Sequence, residues 1–178
     1  MVDEFLSLAY YAEHQLPVVI FRLFNTVGPR QIGRYGMVIP RFIQQALARE
    51  PISVYSDGLQ TRCFMHVHDT VAALMALSNS IDAIGEVFNV GATTEITILD
   101  LARTVLAVLD DTPELPPQDD PRIEFIPYEA AYAAGFEDMR RRVPDTTKIR
   151  EHTGWQPQHD LRSILRDVFT DMRSSGKE

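Results

Sequence analysis

Apolar residues recur along the chain in two rhythms. Val2, Phe5, Leu6, Ala9 and Ala12 fall at helical spacing and predict an amphipathic helix that ends before Pro17. The run Val18 to Phe24, broken by Arg22 and followed by Asn25 and Gly28-Pro29, predicts a buried parallel strand stopped by a tight turn. After a polar loop, Gln31 to Gly36, the residues Val38, Ile39, Phe42, Ile43, Ala46 and Leu47 share one helical face, with Pro40 in the first turn, where its missing N–H costs nothing. Ile52 to Tyr55 reads as a strand, Ser56-Asp57-Gly58 as a turn, and Arg62 to Val67 as a second strand. Asp69 is the expected cap of a helix carrying Val71, Ala72, Leu74, Met75 and Leu77.

The second half continues the alternation. Glu86 to Val90 reads as a strand ended by Gly91, and Thr97 with Asp100 resembles a capping box opening a helix that runs through Leu109. Asp110 to Pro121 holds four prolines and five acids in twelve residues, a surface loop and the expected place for disorder. Ile123 to Ile126 is a further strand, Tyr128 to Asp138 an irregular or partly helical excursion, and Asp160 the cap of a final helix striped by Leu161, Ile164, Leu165, Val168, Phe169 and Met172. Residues after Arg173 are expected to fray. No internal repeat is visible.

Composition narrows the function classes. A chain of 178 residues can bury one good core or a core and a smaller lobe. With 17 Lys plus Arg against 25 Asp plus Glu the net charge is -8, which argues against a general nucleic-acid or anionic-membrane surface. Any anion must then be held by local arginines, and Arg140-Arg141-Arg142 is the one basic run. A single cysteine, Cys63, excludes an internal disulfide and fits a reducing compartment. No apolar run approaches the ~20 residues that cross a bilayer. Asp3 and Glu4 precede the first apolar run, the wrong charge order for a signal peptide, so a cytoplasmic protein is expected.

Candidate chemistry gathers at the end of the first strand. Open α/β sheets bind ligands outside the carboxyl ends of their strands, which places Asn25, Gly28 and Arg30 at a lip where chemistry is expected; an ordinary Asx turn before Gly-Pro reads equally well. His66 and His68 alternate at period two with Asp69 beyond, but no third ligand lies nearby in sequence, so no metal is expected. Cys63 has no base beside it and reads as a buried packing thiol rather than a nucleophile.

Seven motifs in register carry a resemblance over nearly the whole chain: Arg22-Leu-Phe-Asn25-Thr-Val-Gly28-Pro29-Arg30, Val38-Ile-Pro40-Arg-Phe42, Val54-Tyr-Ser-Asp57-Gly58, Thr61-Arg62-Cys-Phe64-Met-His-Val67-His-Asp69, Phe88-Asn-Val-Gly91, Arg142-Val-Pro144-Asp145 and Gly154-Trp155-Gln-Pro157. Together they resemble the second half of the extended short-chain dehydrogenase/reductases that act on nucleotide sugars. The resemblance implies an α/β fold, the C-terminal part of a Rossmann-type doubly wound parallel sheet plus a small mixed α/β substrate-binding lobe. Residues 1–25 and 66–95 would end the NAD-binding domain, and 26–65 with 96–178 would form the lobe. It further implies an NAD-dependent nucleotide-sugar epimerase or dehydratase working through a 4-keto sugar, with a UDP-glucuronate decarboxylase-type enzyme or a non-catalytic nucleotide-diphosphate-binding fragment as alternatives. A homo-oligomer is implied as well.

By the same resemblance Asn25 lies near the sugar, the diphosphate and the cofactor, and the turn Val27-Gly28-Pro29 packs against the nicotinamide ring. Arg62 and Arg142 grip the diphosphate, a task suited to a planar fork, although either could be a solvated charge. Val38 and Phe42 resemble an apolar wall around the base and are equally what any core helix shows. Asp145 holds a ribose hydroxyl or caps the helix after Pro144. Two family features are missing: a Gly-x-x-Gly-x-x-Gly turn for the NAD pyrophosphate, and a Tyr-x-x-x-Lys pair, since Tyr10 and Tyr11 have no lysine four residues on and the only lysines are Lys148 and Lys177. The chain is thus expected to start just past its own catalytic pair, to contain no catalytic residue, to be inactive alone and not to bind NAD by itself.

Overall fold

The structure, a computed structural model, describes residues 2–31, 37–127 and 139–175. Helix α1 (Val2–His14) leads to strands β1 (Ile20–Leu23) and β2 (Thr26–Val27), helix α2 (Val38–Ala48), and strands β3 (Ile52–Tyr55), β4 (Thr61–Cys63) and β5 (Met65–His66). Helix α3 (Val67–Ser78), a 3-10 turn at Ile81–Ala83, β6 (Val87–Val90), β7 (Glu95–Thr97) and α4 (Ile98–Leu109) follow, then β8 (Ile123–Ile126), β9 (Arg141–Arg142), α5 (Thr147–Thr153) and α6 (Leu161–Ser175). Pairings β1–β6, β2–β5 and β3–β8 are parallel; β4 lies antiparallel to β7 and parallel to β9. No described helix is long and apolar enough to cross a membrane.

Buried side chains form two clusters. In the first, the apolar stripes of α2, α4 and α6 pack on one another and on the inward face of β3, so that Phe42, Ile43, Ile52, Val54, Leu101, Val105, Ile164 and Leu165 are buried together. The second joins β5, β6, α3 and α5 through Met65, Leu77, Phe88, Ile149 and Trp155. Trp155, 8% exposed, donates from Nε1 to the Asp69 carbonyl in the first turn of α3 (3.1 Å).

Local signals set several boundaries. Asp160 Oδ1 accepts the Ser163 N–H at the start of α6 (2.8 Å). Thr97 Oγ1 accepts the Asp100 N–H (2.9 Å), while the Asp100 carboxylate turns to Arg103 instead of reaching back, so only half of the capping box forms. The loop Asp110 to Pro121, expected to be disordered, is anchored: Arg103 donates to the Pro116 carbonyl, and Arg162 to those of Thr112 and Pro113.

Three further expectations change. Strand β1 is parallel but not buried; Phe21 and Leu23 are 43% and 44% exposed, because among the described residues β1 has β6 on one edge only. The stripe of α1 is likewise uncovered, with no residue of that helix buried. Arg62 to Val67 is two short strands interrupted at Phe64, and α3 begins at Val67 with His66, not Asp69, as its cap. Asp69 is drawn inward instead, where it accepts the His159 N–H at 3.1 Å. The excursion Tyr128 to Asp138, and the chain beyond residue 175, lie outside the described residues.

Candidate functional site

The end of β1 is folded back by its own side chains. Asn25 adopts φ +39°, a left-handed conformation that asparagine tolerates, and its Nδ2 donates to the Cys63 carbonyl at the end of β4 (2.8 Å). This stitch starts β2, which pairs with β5 through Thr26 with Met65 and Val27 with His66. Beside β2 opens a cleft of about 330 Å³, closed on its other sides by the first turns of α2, by Tyr55 at the end of β3, and by β4 and β9.

Five of the residues singled out from sequence line this cleft: Asn25, Val27, Val38, Arg62 and Arg142. Arg62 and Arg142 are register partners on adjoining parallel strands, a relation that spacing in sequence did not reveal. The Arg62 Nη1 donates to the carbonyls of Thr61 and Met139 at 2.7 and 2.8 Å, while the Arg142 guanidinium lies 5.3 Å from the centre of the Phe24 ring. The neighbouring arginines differ. Strand alternation sends Arg141 to Glu95 (2.7 Å), and this contact holds the Glu95 carboxyl below the usual carboxylate range. Arg140 is exposed and serves β4 through its carbonyl.

The other five lie elsewhere. Arg30 is exposed outside the cleft lining, and its backbone N–H donates to Asp171 Oδ2 at 2.6 Å. Phe42 is 0% exposed and belongs to the first core. Gly28 is buried against Val67 of α3, and Pro29 follows it outside the cleft lining. Asp145 is exposed and caps α5: its Oδ1 accepts the Thr147 N–H at 2.9 Å, which lowers its carboxyl from the ordinary value. Residues the sequence reading passed over complete the cleft, chiefly Arg41, Tyr55 and Gln60. An arginine inside the apolar turn Val38 to Ile43 was the available signal for the first. Cys63 is buried, and burial pushes its thiol up, as suits a packing side chain.

Behind β2 three imidazoles meet. His159, distant in sequence, is the third ring that the sequence reading lacked; it stacks on His66 at 4.4 Å with 21° between planes, and His68 stands 4.6 Å from His66 and 6.1 Å from His159. His66 Nδ1 accepts the His68 N–H at 3.0 Å, which leaves its ring proton on Nε2, 3.3 Å from Asp167 Oδ2. One nitrogen of each ring lies within 4.8 Å of the others, a spacing that could hold a metal ion, although the His66 Nδ1 is already engaged as a helix cap. Burial, then the His159 and His68 rings, hold His66 below the ordinary histidine value, with Asp167 and Asp69 opposing.

Of the residues that the resemblance sets against NAD, Gly28 is packed on Val67, the Asn25 amide nitrogen is engaged by the Cys63 carbonyl, and Val27 lines the cleft.

Comparison with known proteins places this geometry. Residues 1–168 match the family described as GDP-mannose 4,6 dehydratase. A UDP-N-acetyl-alpha-D-glucosaminuronate decarboxylase of Bacillus cytotoxicus is 38% identical over 94% of the chain and 50% of that protein. UDP-glucuronic acid decarboxylase 1 of Arabidopsis thaliana is 36% identical over 96% of the chain and 36% of its own length. Among solved structures, a UDP-glucuronic acid 4-epimerase of Bacillus cereus in complex with UDP-glucuronic acid and NAD superposes with TM-score 0.77 at 25% identity, covering 97% of the chain and 50% of the enzyme. A dTDP-glucose 4,6-dehydratase of Bacillus anthracis in complex with NAD gives 0.79 at 25% identity, covering 98% and 50%. The chain thus spans half or less of the length of these relatives.

Proposed function

Because the chain belongs to the GDP-mannose 4,6 dehydratase family, we propose that it supplies the nucleotide-sugar-binding part of an NAD-dependent nucleotide-sugar epimerase or dehydratase. The observation that carries this reading is the register pair Arg62 and Arg142 at one end of a cleft whose other end is apolar and aromatic. In a chain of net charge -8, two guanidinium groups on one cleft make a local positive well for a diphosphate. Met37, Val38 and Tyr55 offer a flat surface for a base. Asn25, with its nitrogen engaged, keeps Oδ1 to accept from a sugar hydroxyl.

NAD, when bound in the complete enzyme, supplies the hydride acceptor. In this reading residues 1–25 and 66–95 extend the cofactor-binding sheet, and 26–65 with 96–178 form the substrate lobe. The two buried clusters support that division, except that Met65, Ile149 and Trp155 pack with α3 and β6.

The test compares Arg142→Ala with Arg140→Ala by calorimetric titration of a UDP-sugar. Loss of a desolvated bidentate contact should weaken binding about 30-fold or more, whereas the exposed Arg140 should change it less than about fivefold. Equal dissociation constants for the two variants would remove Arg142 from the site.

A further inference from the structure

The histidine cluster stands where the two cores adjoin and outside the cleft lining. His66 caps α3 and His68 lies in its first turn, on the side of the smaller core, while His159 stands just ahead of α6, which belongs to the larger one. Hydrogen bonds decide which nitrogen keeps its lone pair. His159 Nδ1 is 2.9 Å from Oδ1 of Asp69, a carboxylate that can only accept, so the proton sits on Nδ1 and the Nε2 lone pair is left over. Asp69 is 3% exposed and accepts the His159 backbone N–H as well, which holds that ring in one tautomer. His66 repeats the arrangement. Its Nε2 faces the Asp167 carboxylate at 3.3 Å, and its Nδ1 carries the lone pair, taken up by the His68 N–H at 3.0 Å. A histidine that ligates a metal commonly gives its other N–H to a carboxylate, and here two rings of three are set that way. The third, His68, is exposed and free to turn.

We propose that His66, His68 and His159 bind a divalent ion of the zinc type, which ties the start of α3 to the start of α6. This goes beyond the nucleotide-sugar reading and does not depend on it; it also reverses the expectation drawn from His66 and His68 alone, which lacked His159. Three imidazoles without a thiolate suit zinc, nickel or copper, whereas magnesium and calcium take oxygen ligands. Zinc–nitrogen bonds of about 2.0–2.1 Å set tetrahedral ligand atoms about 3.4 Å apart. From a spacing within 4.8 Å the rings therefore close by up to about 1.4 Å, a movement open to the exposed His68 and the half-buried His159. A water completes the four positions. Asp69 and Asp167, behind their rings, offset the two positive charges. His66 Nδ1 serves the helix cap or the ion, so binding exchanges a bond within α3 for one that joins α3 to α6.

The experiment is calorimetric titration of the untagged, chelator-stripped chain with zinc chloride, and with magnesium chloride as control. Wild type should bind one zinc ion per chain and no magnesium. His68→Gln and His159→Gln each remove a ligand, leave the buried His66 in place and should weaken zinc binding about 30-fold or more. Asp69→Asn, which removes the charge that orients His159, should weaken it about 10- to 100-fold. His152→Gln, at an exposed histidine outside the cluster, should change it less than about twofold. Saturating zinc should raise the urea midpoint of wild type and not that of His68→Gln, a variant whose exposed site leaves the fold intact. A wild type that binds no zinc, or zinc binding that survives both His68→Gln and His159→Gln, overturns the site. An equal loss in His152→Gln also overturns it, as adventitious binding by surface histidines.

Discussion

A β-carbon placed on Gly28 would lie 2.4 Å from Val67 Cγ1 and 3.0 Å from Val67 Cβ. Val67 is β-branched and opens α3, so its χ1 is restricted and it cannot swing aside. Gly28→Ala should therefore destabilise the chain by about 1–3 kcal/mol, and adding Val67→Ala should restore most of that loss. Urea denaturation of the single and double variants checks this; a double variant no more stable than Gly28→Ala alone would point to another cause. The Gly-Pro pair announced a turn in the sequence, but not why glycine is needed there. The reason is a contact with a residue 39 positions later, on another element. His159 escaped sequence reading for the same reason, since the partner that gives it a role, His66, is set by packing and not by spacing. Arg62 and Arg142 were legible because each stands in a distinctive local string, though not their direct opposition across two strands.

At the scale of the element, α2, α4, α6 and β3 follow the apolar periodicity closely, because the signals that set them lie within a few residues of each boundary. Helix α3 does not. Its sequence offers Asp69 as the better cap, yet the His159 backbone and ring claim both Asp69 oxygens, at 3.1 and 2.9 Å, and the cap falls to His66 Nδ1. That choice ties the helix to pH. The His66 ring is held below the ordinary histidine value, chiefly by burial, and faces His68 and Asp69 on α3, His159 ahead of α6, and Asp167 on α6. A lowered folded-state value means that folding favours the neutral ring. The contribution is complete above the ordinary value of about 6.5 and is lost as the pH falls through the lowered one. The added proton must enter at Nδ1, where it removes the acceptor of the cap. His66→Asn keeps a capping oxygen without titrating, so its stability should fall less than that of wild type between about pH 7.5 and about pH 5. Urea midpoints at the two pH values decide; identical losses would locate the acid sensitivity in other groups.

Across the whole molecule the two faces are unequal. The bundle of α2, α4 and α6 is closed, whereas α1 and β1 leave Phe5 70% exposed and Phe21 and Leu23 more than 40% exposed beside a strand edge with no partner among the described residues. An open apolar edge is a template for association. The isolated chain is expected to elute from gel filtration as an oligomer or to bind a hydrophobic dye, and Leu23→Lys, which places a charge on that edge, should lessen both. A dye-silent wild-type monomer would contradict this. Sequence periodicity predicted these segments as helix and strand correctly and the burial of β1 wrongly, because a period reports which side of an element is apolar and not whether anything covers it. The full membership of the smaller core was not legible, since Ile149 and Trp155 join α3 and β6 from far along the chain. Trp155 is the only tryptophan, and its indole N–H is bonded to α3. Its fluorescence is consequently an optical probe of that smaller core alone. Followed beside far-ultraviolet circular dichroism, it reads whether the helical bundle melts together with the sheet end or after it.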